Sequence, residues 1–205
     1  MAGLREKKKS RTQKAIIKAA WDLFLEKGFN NSTIDEIAER AEVSVGTIYN
    51  YYGSKRLILL AINERLTEDL LIKGEVIRKK TKGDPEEAVF ELIWLYFSQA
   101  FAYDREFMRE IMASIMTEYD SIAQEMFGLD LRLVGQISET LEGYQKQGLI
   151  SRNIPIERAS LLLYGTMMMP IFMFLFMEDV SKESLKTEIR ENIRLVFMGW
   201  KPGKE

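Results

Sequence analysis

Along most of the chain, apolar residues recur three and four positions apart, the spacing that lines one face of an α-helix, and no stretch alternates apolar with polar as a half-buried strand would. Ile16, Ala20, Leu23 and Phe24 predict a first helix over Ser10–Lys27, which Gly28 ends and against which Phe29 packs back. Ile34, Ile37, Ala38 and Ala41 predict a short second helix, with Ser32 or Thr33 as its cap and Asp35 and Glu36 favourable in its first turn. After a turn at Glu42-Val43, Ser44 caps a third helix running from Val45 to about Tyr52. Gly53-Ser54 ends that helix and caps a long one, to about Lys80, with Leu57, Ile58, Ala61, Ile62, Leu66, Leu70 and Ile77 on or near its apolar side. Gly74 is a mild weak point within it, costing up to about 1 kcal/mol relative to alanine.

Beyond a loop at Thr81–Asp84, Asp84 and Pro85 open a helix to about Ala102 as its cap and first residue. Another starts at Asp104 and carries Phe107, Met108, Ile111, Met112, Ile115 and Met116. The next spans about Glu118–Gln147, with Gly128 or Gly135 as candidate breaks and Gly148 as its end. Leu161–Met177 is 17 residues without a charge, bounded by Arg158 and Glu178 and interrupted by Pro170. It reads as a helix buried on all sides, against its own core and a second subunit, not as a membrane span, and Pro170 cannot donate to the carbonyl of Thr166, so a kink is expected there. Ser181 caps the last helix, whose stripe of Leu185, Ile189, Ile193, Val196 and Trp200 is expected to be exposed in a single chain. The predicted fold is all-α: an N-terminal three-helix domain over residues 1–56, and a larger helical bundle over 57–205.

The third helix gives the chain a chemistry. At about 100° per residue, Val45, Ile48 and Tyr52 fall on the side facing a core, and Gly46, Thr47 and Asn50 on the opposite side, flanked by Tyr49 and Tyr51. A small residue permits close approach to DNA. A hydroxyl meets a phosphate or a thymine methyl, an amide pairs with a base edge, and phenols suit phosphate oxygens. This is the outward face of a helix-turn-helix reading helix. Lys55 and Arg56 stand at the start of the next helix, where a phosphate would offset their unfavourable position against the helix dipole.

Charge follows the same division. The net charge of −2 hides residues 1–57 with 11 Lys/Arg against 7 Asp/Glu, and a remainder with 18 against 24. The positive excess lies where a polyanion would dock. Much of it is in Met1–Lys14, with Arg5, Lys7, Lys8, Lys9, Arg11 and Lys14 against Glu6. Free in solution this stretch reads as a solvated, disordered tail, and on DNA as an arm reaching phosphates or the minor groove. The 205 residues contain no cysteine and no histidine, which removes disulfides, thiolate metal sites and the commonest general base. No cofactor, metal site or enzymatic activity is expected. The N-terminus leads into an amphipathic helix and not a signal peptide, so a cytoplasmic location is expected.

The stretch AIIKAAWDLFLEKGFNNSTIDEIAERAEVSVGTIYNYYGSKRLIL, about Ala15 to Leu60, resembles the N-terminal DNA-binding domain of the TetR family of transcription regulators. The resemblance implies that Thr33, Thr47, Tyr49, Tyr51 and Lys55 touch phosphates, that Val45, Gly46 and Asn50 face bases beside the Ser44 cap, and that the last two long helices pair in a homodimer. It also implies that the long helix transmits ligand binding to the reading heads. One position departs from the family: Glu42 stands where the turn usually has glycine, so a strained positive φ is expected there.

The chain has eleven methionines, and eight of them cluster, at Met108, Met112 and Met116 and again at Met167–Met169, Met173 and Met177. Methionine adapts to irregular apolar space. A pocket lined by Trp94, Phe97, Phe101, Met112, Met116, Phe127, Met168 and Phe172 would take a bulky hydrophobic effector, with Glu118 and Tyr119 as polar contacts; the competing reading of each is ordinary core. The expected function is a sequence-specific DNA-binding regulator, a repressor released from a double-stranded operator by a hydrophobic small molecule. The alternative is a helical ligand-binding or scaffold protein without specific DNA binding, for which Glu42 is the support.

Overall fold

The computed structural model describes residues 2–80, 83–98, 103, 105–116 and 121–200. These form α1 (Ala2–Lys27), α2 (Ile34–Arg40), α3 (Val45–Tyr51), α4 (Lys55–Lys80), α5 (Pro85–Ser98), α6 (Arg105–Met116), α7 (Ser121–Lys146), α8 (Ile156–Gly165), α9 (Met168–Phe176) and α10 (Lys182–Met198), with no strand among the described residues. Two compact units result: Met1–Leu66 with Glu106–Phe127, and Thr67–Arg105 with Gly128–Glu205. Most of α6 and the start of α7 thus pack with the N-terminal helices.

In the first unit, α1 buries Ile16, Ala20, Leu23 and Phe24 as its spacing predicts, and α2 and α3 close over them with Ile37, Ala38 and Ile48. Phe24 meets Phe29 edge-on at 5.1 Å, and Trp21 meets Phe107 of α6 at 5.8 Å. Two helix starts are capped as read: Ser54 Oγ accepts from Leu57 N at 3.2 Å, and Asp84 Oδ1, in the second unit, accepts from Glu87 N at 3.1 Å. The basic arm corrects the sequence reading: α1 already begins at Ala2, so the stretch is helix and not a disordered tail. It contains no proline, and lysine, arginine and glutamate are good helix formers, so it simply extends the helix that follows.

In the second unit, α5 buries Ala88, Val89, Phe90, Leu92, Ile93, Tyr96 and Phe97. Against it lies α10, which also packs on α9. The stripe of α10 is a second correction: Leu185, Ile189 and Ile193 are wholly buried within the single chain, and the exposed apolar residues of this helix are Leu195 and Met198. Its period is that of a core face, which α5 and α9 satisfy. The 17-residue apolar stretch divides into α8 and α9 at Thr166-Met167, at the carbonyl that Pro170 leaves without a donor. It is not buried on all sides, since Leu161, Leu162, Met168, Met169, Phe176 and Met177 are exposed. Residues 156–176 are long and apolar enough to cross a membrane by length and composition, with 44% of the window buried inside the protein.

Neither Gly128 nor Gly135 interrupts α7. Gly74 in α4 has a packing reason: a Cβ there would stand 2.0 Å from Gln136 Oε1 and 3.1 Å from Leu92 Cδ2. Gln136 is buried, accepts from the Tyr96 hydroxyl at 2.8 Å and donates to the Leu71 carbonyl at 2.8 Å, so its amide is fixed in the space that glycine leaves. The Tyr96 phenol is pushed far above its ordinary range by burial.

Candidate nucleic-acid interface

Helix α2 begins at Thr33, whose hydroxyl accepts from Glu36 N at 3.3 Å while the Glu36 carboxylate accepts from Thr33 N at 3.0 Å. This reciprocal cap satisfies two of the helix's free N–H groups. Lys27 pairs with the other Glu36 oxygen, and hydrogen bonds from Lys27 and then Thr33 hold this carboxyl down to about 2. Arg40 at the far end makes a two-pronged pair with Glu26 of α1, at 2.6 and 2.8 Å. Thr33 itself is exposed, as a phosphate contact requires.

The turn after α2 has the expected strain. Glu42 has φ 55°, the one positive φ outside glycine among the described residues. Its N–H donates to the Glu39 carbonyl at 3.1 Å, and Val43 N donates to Ala38 O at 3.0 Å. Those two bonds close the helix in the manner usual for glycine, and they hold Glu42 left-handed.

Ser44 caps α3, its hydroxyl accepting from Thr47 N at 3.1 Å and lying 2.8 Å from the Thr47 hydroxyl. Ile48 is 0% exposed and anchors the helix. Gly46, Tyr49 and Asn50 are exposed, while Val45, Thr47, Tyr51 and Tyr52 are half-buried. Ile48 thus faces inward and Gly46 and Asn50 outward as the wheel predicts, whereas Thr47, predicted outward, is half-buried, as are Val45 and Tyr52, predicted inward.

Lys55 turns its side chain toward the α1–α2 loop. Its ammonium donates to the carbonyls of Phe29, Asn30 and Ser32 at 2.6, 3.3 and 2.8 Å and lies 4.4 Å from the centre of the Phe29 ring. An ammonium has three protons, and all are directed into the α1–α2 loop. Desolvation lowers its pKa below the ordinary lysine value. The same loop receives Glu110 of α6, whose Oε2 accepts from Phe29 N at 2.7 Å and Asn30 N at 3.3 Å. Sequence reasoning missed Glu110 because nothing in the pattern of α6 links it to a loop some eighty residues earlier.

The candidate pocket residues fall in both units. Trp94, Phe97, Met168 and Phe172 belong to the second unit, and Met112, Met116 and Phe127 to the first. Phe97 is buried; Trp94, Met112 and Phe172 are half-buried; Phe127 and Met168 are 63% and 40% exposed. The side chain of Met116, together with Phe101, Glu118 and Tyr119, lies outside the described residues. A cleft of about 220 Å³ in the second unit is lined by Glu75, Arg78, Lys79, Glu139, Thr140, Gly143, Tyr144 and Gln147, none of them among those expected. Arg78 donates across it to Glu139 at 2.7 Å and to Glu75 at 2.8 Å.

Residues 16–62 match the model of the bacterial regulatory proteins of the tetR family. Over 49 residues the chain is 53% identical to the HTH-type transcriptional regulator YdeS of Bacillus subtilis, a match spanning 24% of this chain and 25% of that protein. Over 166 residues it is 27% identical to the HTH-type transcriptional repressor NicS of Pseudomonas putida, covering 78% of this chain and 76% of that one. Among solved structures, FadR of Thermus thermophilus, a TetR-family repressor in complex with lauroyl-CoA, superposes with a TM-score of 0.75 at 23% identity, over 94% of this chain and 97% of that chain. With α3 capped at Ser44, anchored by Ile48 and preceded by a tight left-handed turn, residues 16–62 form a helix-turn-helix domain of the kind found in bacterial regulatory proteins of the tetR family.

Proposed function

We propose that this protein is a sequence-specific DNA-binding repressor, acting as a homodimer and released by a hydrophobic small molecule. The observation that carries this reading is the outward face of α3, where Gly46, Tyr49 and Asn50 stand exposed on a helix that Ile48 anchors from below. Val45, Gly46 and Asn50 would address base edges. Thr33, Thr47, Tyr49 and Tyr51 would hold phosphates, and Ser44 sets the helix start. In functional terms residues 1–56, including the basic N-terminal turns of α1, form the DNA-binding part, and 57–205 the ligand-binding and dimerising part. Exposed Leu161, Leu162, Met169 and Phe176 on α8 and α9 support dimerisation, because large apolar side chains left in water favour a partner that covers them.

For the effector, the acyl-CoA held by the FadR relative supports a molecule with a long apolar tail. Trp94 and Phe97 on α5 and Phe172 on α9 remain the aromatic residues proposed to line its site, whereas the exposure of Phe127 leaves that ring to other contacts. The test is fluorescence anisotropy of the protein with a fragment from upstream of its own gene, against scrambled DNA, at two salt concentrations, followed by titration of lauroyl-CoA. The expected result is a preference for the genuine fragment of about 10³-fold, lost on adding effector. Equal, steeply salt-dependent binding to both fragments contradicts specific recognition.

A further inference from the structure

The α1–α2 loop, Gly28–Ser32, is held by two ionised side chains from distant parts of the chain. Glu110 takes the N–H groups of Phe29 and Asn30, and Lys55 takes the carbonyls of Phe29, Asn30 and Ser32. The loop's first residue is built around this arrangement: Gly28 has φ 87°, and a Cβ on it would stand 2.7 Å from Glu110 Oε2. Thr33, the residue immediately after the loop, caps α2. Where the loop sits therefore decides where α2 begins and where α3 presents its outward face.

We propose that Lys55 and Glu110 are positioning residues for DNA recognition: together they clamp the α1–α2 loop so that Thr33 and α3 meet the duplex in register, and Lys55 does so in place of contacting a phosphate. This rests on the DNA-binding reading above. It separates from a phosphate-contact role in sign as well as size. A lysine on a phosphate adds about 0.9 to the slope of log affinity against log salt, whereas a lysine spent on three carbonyls adds nothing. A carboxylate near DNA repels it, so its removal would tighten binding to any sequence; a carboxylate that positions the loop weakens specific binding when removed.

The experiment starts from a duplex that the natural-sequence protein selects out of a random pool. Affinity for it and for a scrambled duplex is measured over a range of salt for Lys55→Met, Glu110→Ala, Glu110→Gln and Lys55→Met with Glu110→Ala, with active fractions fixed by stoichiometric titration. Lys55→Met and Glu110→Ala are each expected to lose about ten- to hundredfold for the selected duplex, the range of one charged hydrogen bond. Binding to the scrambled duplex and the salt slope stay unchanged. The double variant loses little more than the weaker single variant, since either change opens the same loop. Glu110→Gln, which keeps an acceptor for the two N–H groups, recovers most of the loss. A general loss of folding would not produce this separation between duplexes.

A salt slope reduced by about 0.9 in Lys55→Met overturns the proposal, as does an unchanged or tighter affinity for the selected duplex in Glu110→Ala. If a variant fails to fold, amide exchange in the natural-sequence protein decides: protected Phe29 and Asn30 amides support the clamp, and exchange at the rate of an open loop overturns it. A pool in which no sequence is enriched overturns the DNA-binding reading itself, a result distinct from either outcome for the clamp.

Discussion

Glu42 and Gly74 are each the unexpected residue type for their place, and the structure accounts for both. Glu42 occupies a left-handed turn between α2 and α3 without glycine's freedom. Replacing it with glycine relieves steric cost but adds freedom to the unfolded chain, so Glu42→Gly is expected to raise stability by no more than about 1 kcal/mol in urea unfolding. Gly74 runs the other way. Helix propensity alone favours Gly74→Ala by about 1 kcal/mol. The fixed Gln136 amide and Leu92 fill the place of the new methyl, so the substitution is expected to lower stability by about 1–2 kcal/mol in the same assay. The strain at Glu42 was legible from the family resemblance, which puts glycine at that position of the turn. The reason for Gly74 was not, because its neighbour Gln136 is 62 residues away and no periodicity links them. Lys55 illustrates the same limit: its position suggested a phosphate, and only the folded loop reveals three nearer carbonyls.

At the scale of the element, helix periods located nearly every segment and misjudged what covers two of them. A helical stripe states which residues share a face, not whether the face meets its own chain or another. The stripe of α10 meets α5 and α9 within the chain. Ile189→Ala is accordingly expected to cost about 2–5 kcal/mol, the range for emptying a closed core site, whereas Leu195→Ala on the exposed side of the same helix costs well under 1 kcal/mol at a concentration where the protein is monomeric. Thermal unfolding of both variants checks the contrast; equal losses would mean that the burial of α10 is misassigned. The α8–α9 break was legible because one proline identifies one carbonyl. The helical arm was not, because a charge run weighs toward solvation while its good helix formers let α1 continue through it.

At the scale of the molecule, two surfaces among the described residues bear on the proposed function. One is the outward face of α3 with the basic turns of α1. The other is the apolar surface of α8 and α9. Phe176, at 64% exposed, is the large aromatic residue of that second surface. Phe176→Glu is expected to shift the protein from dimer toward monomer in light scattering with an unchanged circular dichroism spectrum, since a charge in an apolar interface is costly while the same residue on a free surface is not. An unshifted mass would place the dimer interface elsewhere. A dimer matters to the DNA reading because two reading helices then address half-sites about one helical turn, or a multiple of it, apart.

The central claim is that α3 reads base sequence, and Asn50 is its most direct test. Duplexes are selected from a random pool by the natural-sequence protein and by Asn50→Ala, with salt dependence measured for each. The account predicts that Asn50→Ala relaxes preference at one position in each half-site, costs about 1–3 kcal/mol on the preferred sequence and leaves the salt slope unchanged. An identical preference in both selections would contradict it and remove Asn50 from the base-reading face.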